Sequence, residues 1–132
     1  MNRFMLDTDL SIYVINRRPR EALDTFNVHA GEICISAVTL AELLHGAAKS
    51  EHPAKTRRRV DDFRSRLSVL EYGERAAAHC GEIKTDLECR DSVIGPNDLH
   101  IAAHARSEAL TLVTNNLREF DRVDGLRTAR WV

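Results

Sequence analysis

Residues 94–105 read IGPNDLHIAAHA: a Gly-Pro pair, then Asn97, then a segment whose isoleucine and alanines share one face only if it is helical. Asn97 is the expected cap of that helix and Asp98 its first acid. Three, four and seven residues on from Asp98 stand Ile101, Ala102 and Ala105, so the carboxylate is in line with the stripe expected to face the core. An acid at a helix start can simply answer the positive end of the helix, a gain of about 0.3–1 kcal/mol. Its alignment with the apolar stripe favours a functional use.

Outward from this stretch the hydrophobic period alternates between strand and helix. RFML (3–6), EICIS (32–36), SVLEY (68–72), LTLVT (110–114) and RTARWV (127–132) read as strands. LSIYVINRR (10–18), REALDTFNVHA (20–30), AVTLAELLHGAAKS (37–50), the charged run from Pro53 to Arg66, residues 74–88 and DLHIAAHARSEA (98–109) read as helices, with a helical turn in NNLREF (115–120). Ser36 ends a strand where it can cap the next helix. Strands alternating with helices predict an α/β fold whose mostly parallel central sheet is flanked by helices on both faces. In such sheets ligands bind outside the carboxyl ends of the strands, near a switch in strand order. Asp7 and Asp9 follow the first strand, Asn115 and Asn116 follow the fourth, and Asp98 opens the helix before it, so three segments can meet at one edge.

The bulk numbers fit one ordinary globular domain, 1–132: 132 residues, 43% hydrophobic and 30% charged. The N-terminal run MNRFMLDTDLSIYVI has charge within its apolar run, and no apolar stretch approaches the ~18 residues of a spanning helix, so a cytoplasmic protein without signal peptide or membrane contact is expected. Cys34, Cys80 and Cys89 are odd in number and lack metal-type spacing, which predicts reduced thiols. A net charge of −1 gives no global attraction to nucleic acid, so any such binding falls to local patches: RRPR (17–20), KTRRR (55–59), and Arg64 with Arg66.

Several of these residues have plainer readings. On a helical wheel Glu42 lies opposite Leu40, Leu44, Ala47 and Ala48, as a solvated residue would. Asp7 and Asp9 can cap the following helix, and Asn115, Asn116 and Glu119 are ordinary turn and surface types. Arg57 with Asp61 and Arg58 with Asp62 have the spacing of a salt-laced helix face. His100 and His104 have the spacing of a two-histidine zinc helix, but Ile101 stands where that motif needs Glu, so surface or interface positions are expected. FMLDTDLSI (4–12) also mimics an aspartyl phosphatase, with Asp7 as nucleophile and Asp9 as acid/base.

The strand ending MLDTD, the Glu in SAVTLAELLHGA, the IGPNDLHIAAHA stretch and the closing LVTNNLREF together resemble PIN-domain ribonucleases of the VapC toxin group, in order along essentially the whole chain. The resemblance implies a three-layer PIN-like fold and a metal-dependent endoribonuclease, neutralised by a VapB-type antitoxin and forming a homodimer. It implies tRNA as substrate, with the anticodon region of initiator tRNA one candidate. Position by position, Asp7, Glu42 and Asp98 match the three main acids of that family and become the expected ligands of Mg²⁺ or Mn²⁺. At the fourth polar position this chain has Asn116 where many PIN domains have Asp, and Glu119 can stand in for it. Asp9 departs from the usual Asn or Ser. Clustered carboxylates repel unless a cation neutralises them, and hard divalent ions take oxygen ligands. The departure at Asn116 leaves a non-catalytic PIN-like binding protein as an alternative.

Overall fold

Met5 and Leu6 are adjacent, fully buried and belong to different cores. Successive side chains of a strand point to opposite faces, so a strand that buries both must be covered on both sides. A computed structural model describes residues 1–132 and shows that arrangement in five strands: β1 (Phe4–Leu6), β2 (Ile33–Ser36), β3 (Ser68–Leu70), β4 (Thr111–Val113) and β5 (Arg127–Ala129). The sheet runs β3-β2-β1-β4-β5 and every pairing is parallel. Register sets Met5 between Cys34 and Leu112, and all three face the same core. Leu6, Ile33, Ile35 and Val113 face the other.

The helices divide between these faces. α1 (Thr8–Asn16), α2 (Arg20–Val28), α3 (Ala37–Ala48) and α4 (Pro53–Ser65) supply Leu10, Val14, Phe26, Leu43 and Phe63 to one core. α5 (Glu74–Cys89), α6 (Pro96–Ser107) and the short α7 (Leu117–Phe120) supply Ile83, Leu87, Ile101, Ala105 and Phe120 to the other. The result is the three-layer α/β/α architecture expected of a PIN-like chain. From β1 the chain works outward to β3, then returns to place β4 on the opposite side, so strand order switches between β1 and β4.

Local chemistry moved several boundaries. α1 begins at Thr8, ahead of the apolar period, because Asp7 Oδ1 accepts the Leu10 N–H at 2.8 Å. It ends where Arg17 turns left-handed (φ 58°) and its N–H bonds back to Val14. α6 is capped by Gly95 and not by Asn97, because Pro96 already carries the helical φ and loses no hydrogen bond at the first position. Ser36 caps α3 as expected, its Oγ accepting from Val38 N at 3.1 Å.

α6 is buried on most sides, and this corrects the reading of its histidines. His104 is fully buried with Nδ1 2.8 Å from Ser36 Oγ, and burial holds its pKa below the usual value. His100 Nδ1 lies 2.7 Å from Tyr72 Oη. Neither stands free on the surface, since α5 and Tyr72, in the segment after β3, pack against that side.

Leu112, fully buried in a central strand, should cost about 2–5 kcal/mol when cut to alanine, through lost transfer energy and the cavity left. Val28→Ala, at a side chain 77% exposed, should stay within about 0.5 kcal/mol. Urea unfolding of both variants checks the contrast.

Candidate active site

The switch between β1 and β4 is where the acids gather. Asp7 leaves the end of β1 only 4% exposed, with both carboxylate oxygens engaged. Oδ1 caps α1, and Oδ2 accepts the Thr114 hydroxyl at 2.5 Å from the end of β4. The cap and site readings of Asp7 are therefore the same geometry: the bond that starts α1 also fixes the carboxylate. Asp9, the acid/base of the phosphatase alternative, is exposed in the first turn of α1.

Glu42 comes from α3. It is half-buried, not on a solvated face, and its Oε1 accepts the Thr8 hydroxyl at 2.6 Å. Thr8 Oγ1 also lies 3.2 Å from Thr39 Oγ1, one turn before Glu42. The helical wheel failed here because α1 packs across α3 and covers the face that looked free.

Asp98 sits in the first turn of α6, and Glu119 reaches it from α7. Glu119 Oε1 accepts the Gly95 N–H at 2.9 Å, and Oε2 accepts from Asn116 Nδ2 at 2.6 Å. A Cβ at Gly95 would stand 3.8 Å from Glu119 Oε1 and 3.9 Å from Asp98 Oδ2, so the backbone lies against both carboxylates. Asn116 N donates to Thr114 Oγ1 at 2.9 Å, tying this turn to the hydroxyl that holds Asp7.

The electrostatics follow from this crowding. Burial, then the Glu119 charge and hydrogen bond, then Asp7 and Glu42 push Asp98 up to about 7. Burial is also the main reason Asp7 rises to about 6; the Thr114 and Leu10 bonds pull it down, while Asp9 and Glu42 add to the rise. None of Asp7, Asp9, Glu42, Asp98 and Glu119 forms an ion pair with a lysine or arginine. The side chains as they stand do not close three or more His, Cys, Asp or Glu groups into a ligand cage. The donor set is nonetheless all oxygen and uncompensated in charge, which suits a hard divalent cation and not a soft one.

All five residues singled out from sequence, Asp7, Glu42, Asp98, Asn116 and Glu119, thus converge on one edge, while Asp9 stays at its margin. The hydroxyls that orient them, Thr8, Thr39 and Thr114, were missed. Thr8 and Thr114 each adjoin a chosen polar segment, and that adjacency was the available signal; Thr39 had none.

The PIN domain profile matches residues 4–126, and the chain belongs to the PIN-domain family. Within it the chain is a ribonuclease of the VapC toxin type. It is 55% identical over 132 residues, all of both chains, to Ribonuclease VapC2 of Haemophilus influenzae. It is 47% identical over 131 residues, 99% of each chain, to the tRNA(fMet)-specific endonuclease VapC of Shigella flexneri. A DNA-bound VapBC structure from Salmonella typhimurium superposes over 100% of both chains with a TM-score of 0.96 at 44% identity. VapBC2 of Rickettsia felis, bound to a promoter DNA fragment, gives 0.92 at 37% identity over 98% of each.

Because both folded-state values lie above the 3.8 of an unperturbed Asp, the fold favours the neutral carboxyls. Their contribution to stability is complete below about pH 4 and lost as pH rises through about 6 and 7. In EDTA, the wild-type melting temperature should therefore fall between pH 4 and 8 more steeply than that of Asp98→Asn, with the two curves converging at the acid end. Parallel melting curves would show that Asp98 carries no such strain.

Proposed function

We propose that this ribonuclease is a divalent-metal-dependent endonuclease toxin that cuts tRNA, with Asp7, Glu42 and Asp98 holding Mg²⁺ or Mn²⁺ and Glu119 beside them. The observation that carries the reading is four half-buried or buried acids from four segments facing one another at the β1/β4 switch with no cationic side chain among them. A bound divalent ion supplies the missing positive charge, an acidified water nucleophile and stabilisation of the leaving oxygen. The chain itself supplies position. Asp7 is fixed at both oxygens, Thr8 orients Glu42, and the Gly95 N–H with the Asn116 amide holds Glu119 against Asp98. Without a cation, burial and then the Glu119 charge favour the protonated Asp98, so metal entry competes with that proton.

tRNA as substrate, with the initiator tRNA anticodon region as first candidate, is supported by the naming of the 47% identical relative as specific for tRNA(fMet). Neutralisation by a VapB-type antitoxin is supported by the solved VapBC complexes of the relatives. Homodimerisation and a cytoplasmic setting complete the reading on the family resemblance, and no helix is long and apolar enough to cross a membrane. Convergence of all the acids in spite of Asn116 favours a working nuclease over a non-catalytic PIN-like binder. Expressing the chain without its antitoxin and mapping new RNA 5′ ends tests activity and substrate together: a discrete set in one tRNA supports the reading, and an unchanged RNA population overturns it.

Asp7→Asn should lower cleavage roughly 100-fold or more, because one oxygen remains but the charge that holds a dication is gone. The cap survives in Asn, but its amide nitrogen cannot accept the Thr114 hydroxyl, so without metal the relief of charge crowding is set against one lost buried bond and the protein should stay folded with little net change in melting temperature. Near-normal cleavage by a folded Asp7→Asn protein would rule out the metal-nuclease assignment.

The two residues at the fourth position separate in the same assay. The Asn116 side chain bonds only to Glu119, and its backbone bond to Thr114 survives in alanine, so Glu119→Gln should reduce cleavage much more than Asn116→Ala. Equal losses, or a larger one at Asn116, would reverse the assignment.

A further inference from the structure

We propose that a basic groove between α1 and α4 binds the phosphate backbone of the RNA at a distance from the acids. The inference rests on the tRNA-cutting reading above and extends it to a second contact. The groove encloses about 570 Å³ and carries Arg17, Lys55, Arg58, Arg59 and Arg66 against one carboxylate, Asp62. All six are exposed.

Their charges are unspent. Arg3, Arg20, Arg57, Arg75, Arg90 and Arg106 each stand within ion-pair distance of a carboxylate, but none of the five groove cations does. Arg57 and Arg58 show the contrast on one helix. Arg57 pairs with Asp61 at 3.1 Å, whereas the equally spaced pairing of Arg58 with Asp62, expected from sequence, does not form. Lys55, Arg59 and Arg66 follow one helical stripe about 16 Å long, interrupted by Asp62. Arg66 is already ordered, its guanidinium 5.2 Å over the Phe26 ring and bonded to Asn27 Oδ1 at 2.8 Å. Five cations against a single carboxylate repel one another, and a polyanion relieves that repulsion; guanidinium groups match phosphate oxygens two at a time.

Two features favour a nucleic acid over an acidic protein. Of the three apolar lining residues Val14 and Phe63 are buried and only Ile15 is partly exposed, so the groove offers few anchors of the kind that dominate protein interfaces, whereas backbone binding of nucleic acid rests on charge. The groove also has a defined relation to the acids. Arg17 closes the helix that Asp7 opens, about 14 Å along its axis, roughly four nucleotides of stacked strand at ~3.4 Å each.

The test uses bulk bacterial tRNA as probe. Binding is measured against salt for full-length Asp98→Asn protein, which keeps the groove, with and without Arg58→Gln and Arg59→Gln together. The double change should weaken binding and make the slope of log affinity against log salt shallower by about 1.4–1.8, which is ~0.7–0.9 for each lost phosphate contact. In an otherwise unaltered chain it should raise KM for cleavage far more than it lowers kcat. Arg57→Gln, on the same helix but already paired, should leave the slope in place. A Lys55→Gln and Arg17→Gln pair gives an independent reading should the first pair melt early. Unchanged affinity and slope in both pairs, or an equal fall with Arg57→Gln, overturns the groove assignment. So does loss of antitoxin binding with tRNA binding intact, which would give the groove to a protein partner. Failure of wild type to cleave any tRNA with Mg²⁺ or Mn²⁺ overturns instead the reading on which the groove assignment rests.

Discussion

The hydrogen bond from the Thr114 hydroxyl to Asp7 Oδ2 joins residues 107 positions apart at the switch in strand order, and the candidate site is built outward from it. A charge-assisted bond inside a buried layer is worth about 1.5–3 kcal/mol. Its larger consequence is geometric. The same hydroxyl accepts from Asn116 N and starts the turn that delivers Glu119, while the other oxygen of Asp7 starts α1 and places Thr8 against Glu42. One side chain therefore sets the position of acids arriving from α3 and α7. Glu119 then passes the constraint to Gly95, and so to the start of the helix that bears Asp98.

Holding acids this way opposes folding. Burial and mutual charge raise both Asp7 and Asp98, so each is held in a less favourable state than it has in the unfolded chain. The fold tolerates this because its stability comes from elsewhere. Two cores of 13 and 12 buried residues lie on the two faces of the sheet, while the acids occupy its edge. Strain at the edge and apolar burial below it act on separate residues. A substitution that neutralises an acid can therefore remove activity without weakening the core.

The layer order and the meeting of the acids were legible because both follow from periodicity and from strand ends. Strand and helix alternated cleanly, and Asp7, Asp98 and Asn116 stood at element boundaries where a parallel sheet places its ligands. Glu42 was legible only through family likeness, since a helical wheel knows nothing of a neighbouring helix, and α1 covers the face that looked solvated. His100 and His104 were misread for the same reason: nothing in IGPNDLHIAAHA tells that α5, the end of β2 and Tyr72 pack around α6. Asn97 lost the cap to Gly95 because a proline at the first helical position overrides a weaker local preference. Thr39 left no trace, since a threonine within a helix acquires its role only when Thr8 arrives from elsewhere.

A net charge of −1 conceals the distribution that matters. Six arginines are matched with carboxylates, so much of the surface is locally neutral. Among the unmatched charges two clusters of opposite sign stand apart, acids at the sheet edge and cations along α1 and α4. A phosphodiester chain is repelled by the first group and attracted by the second, so apposition to the acids requires both compensation at the edge and a hold along the groove. Metal would satisfy the first need and the groove cations the second, and neither alone brings a polyanion to a cluster of carboxylates. Charge segregation of this kind, invisible in composition, lets a slightly acidic chain act on nucleic acid.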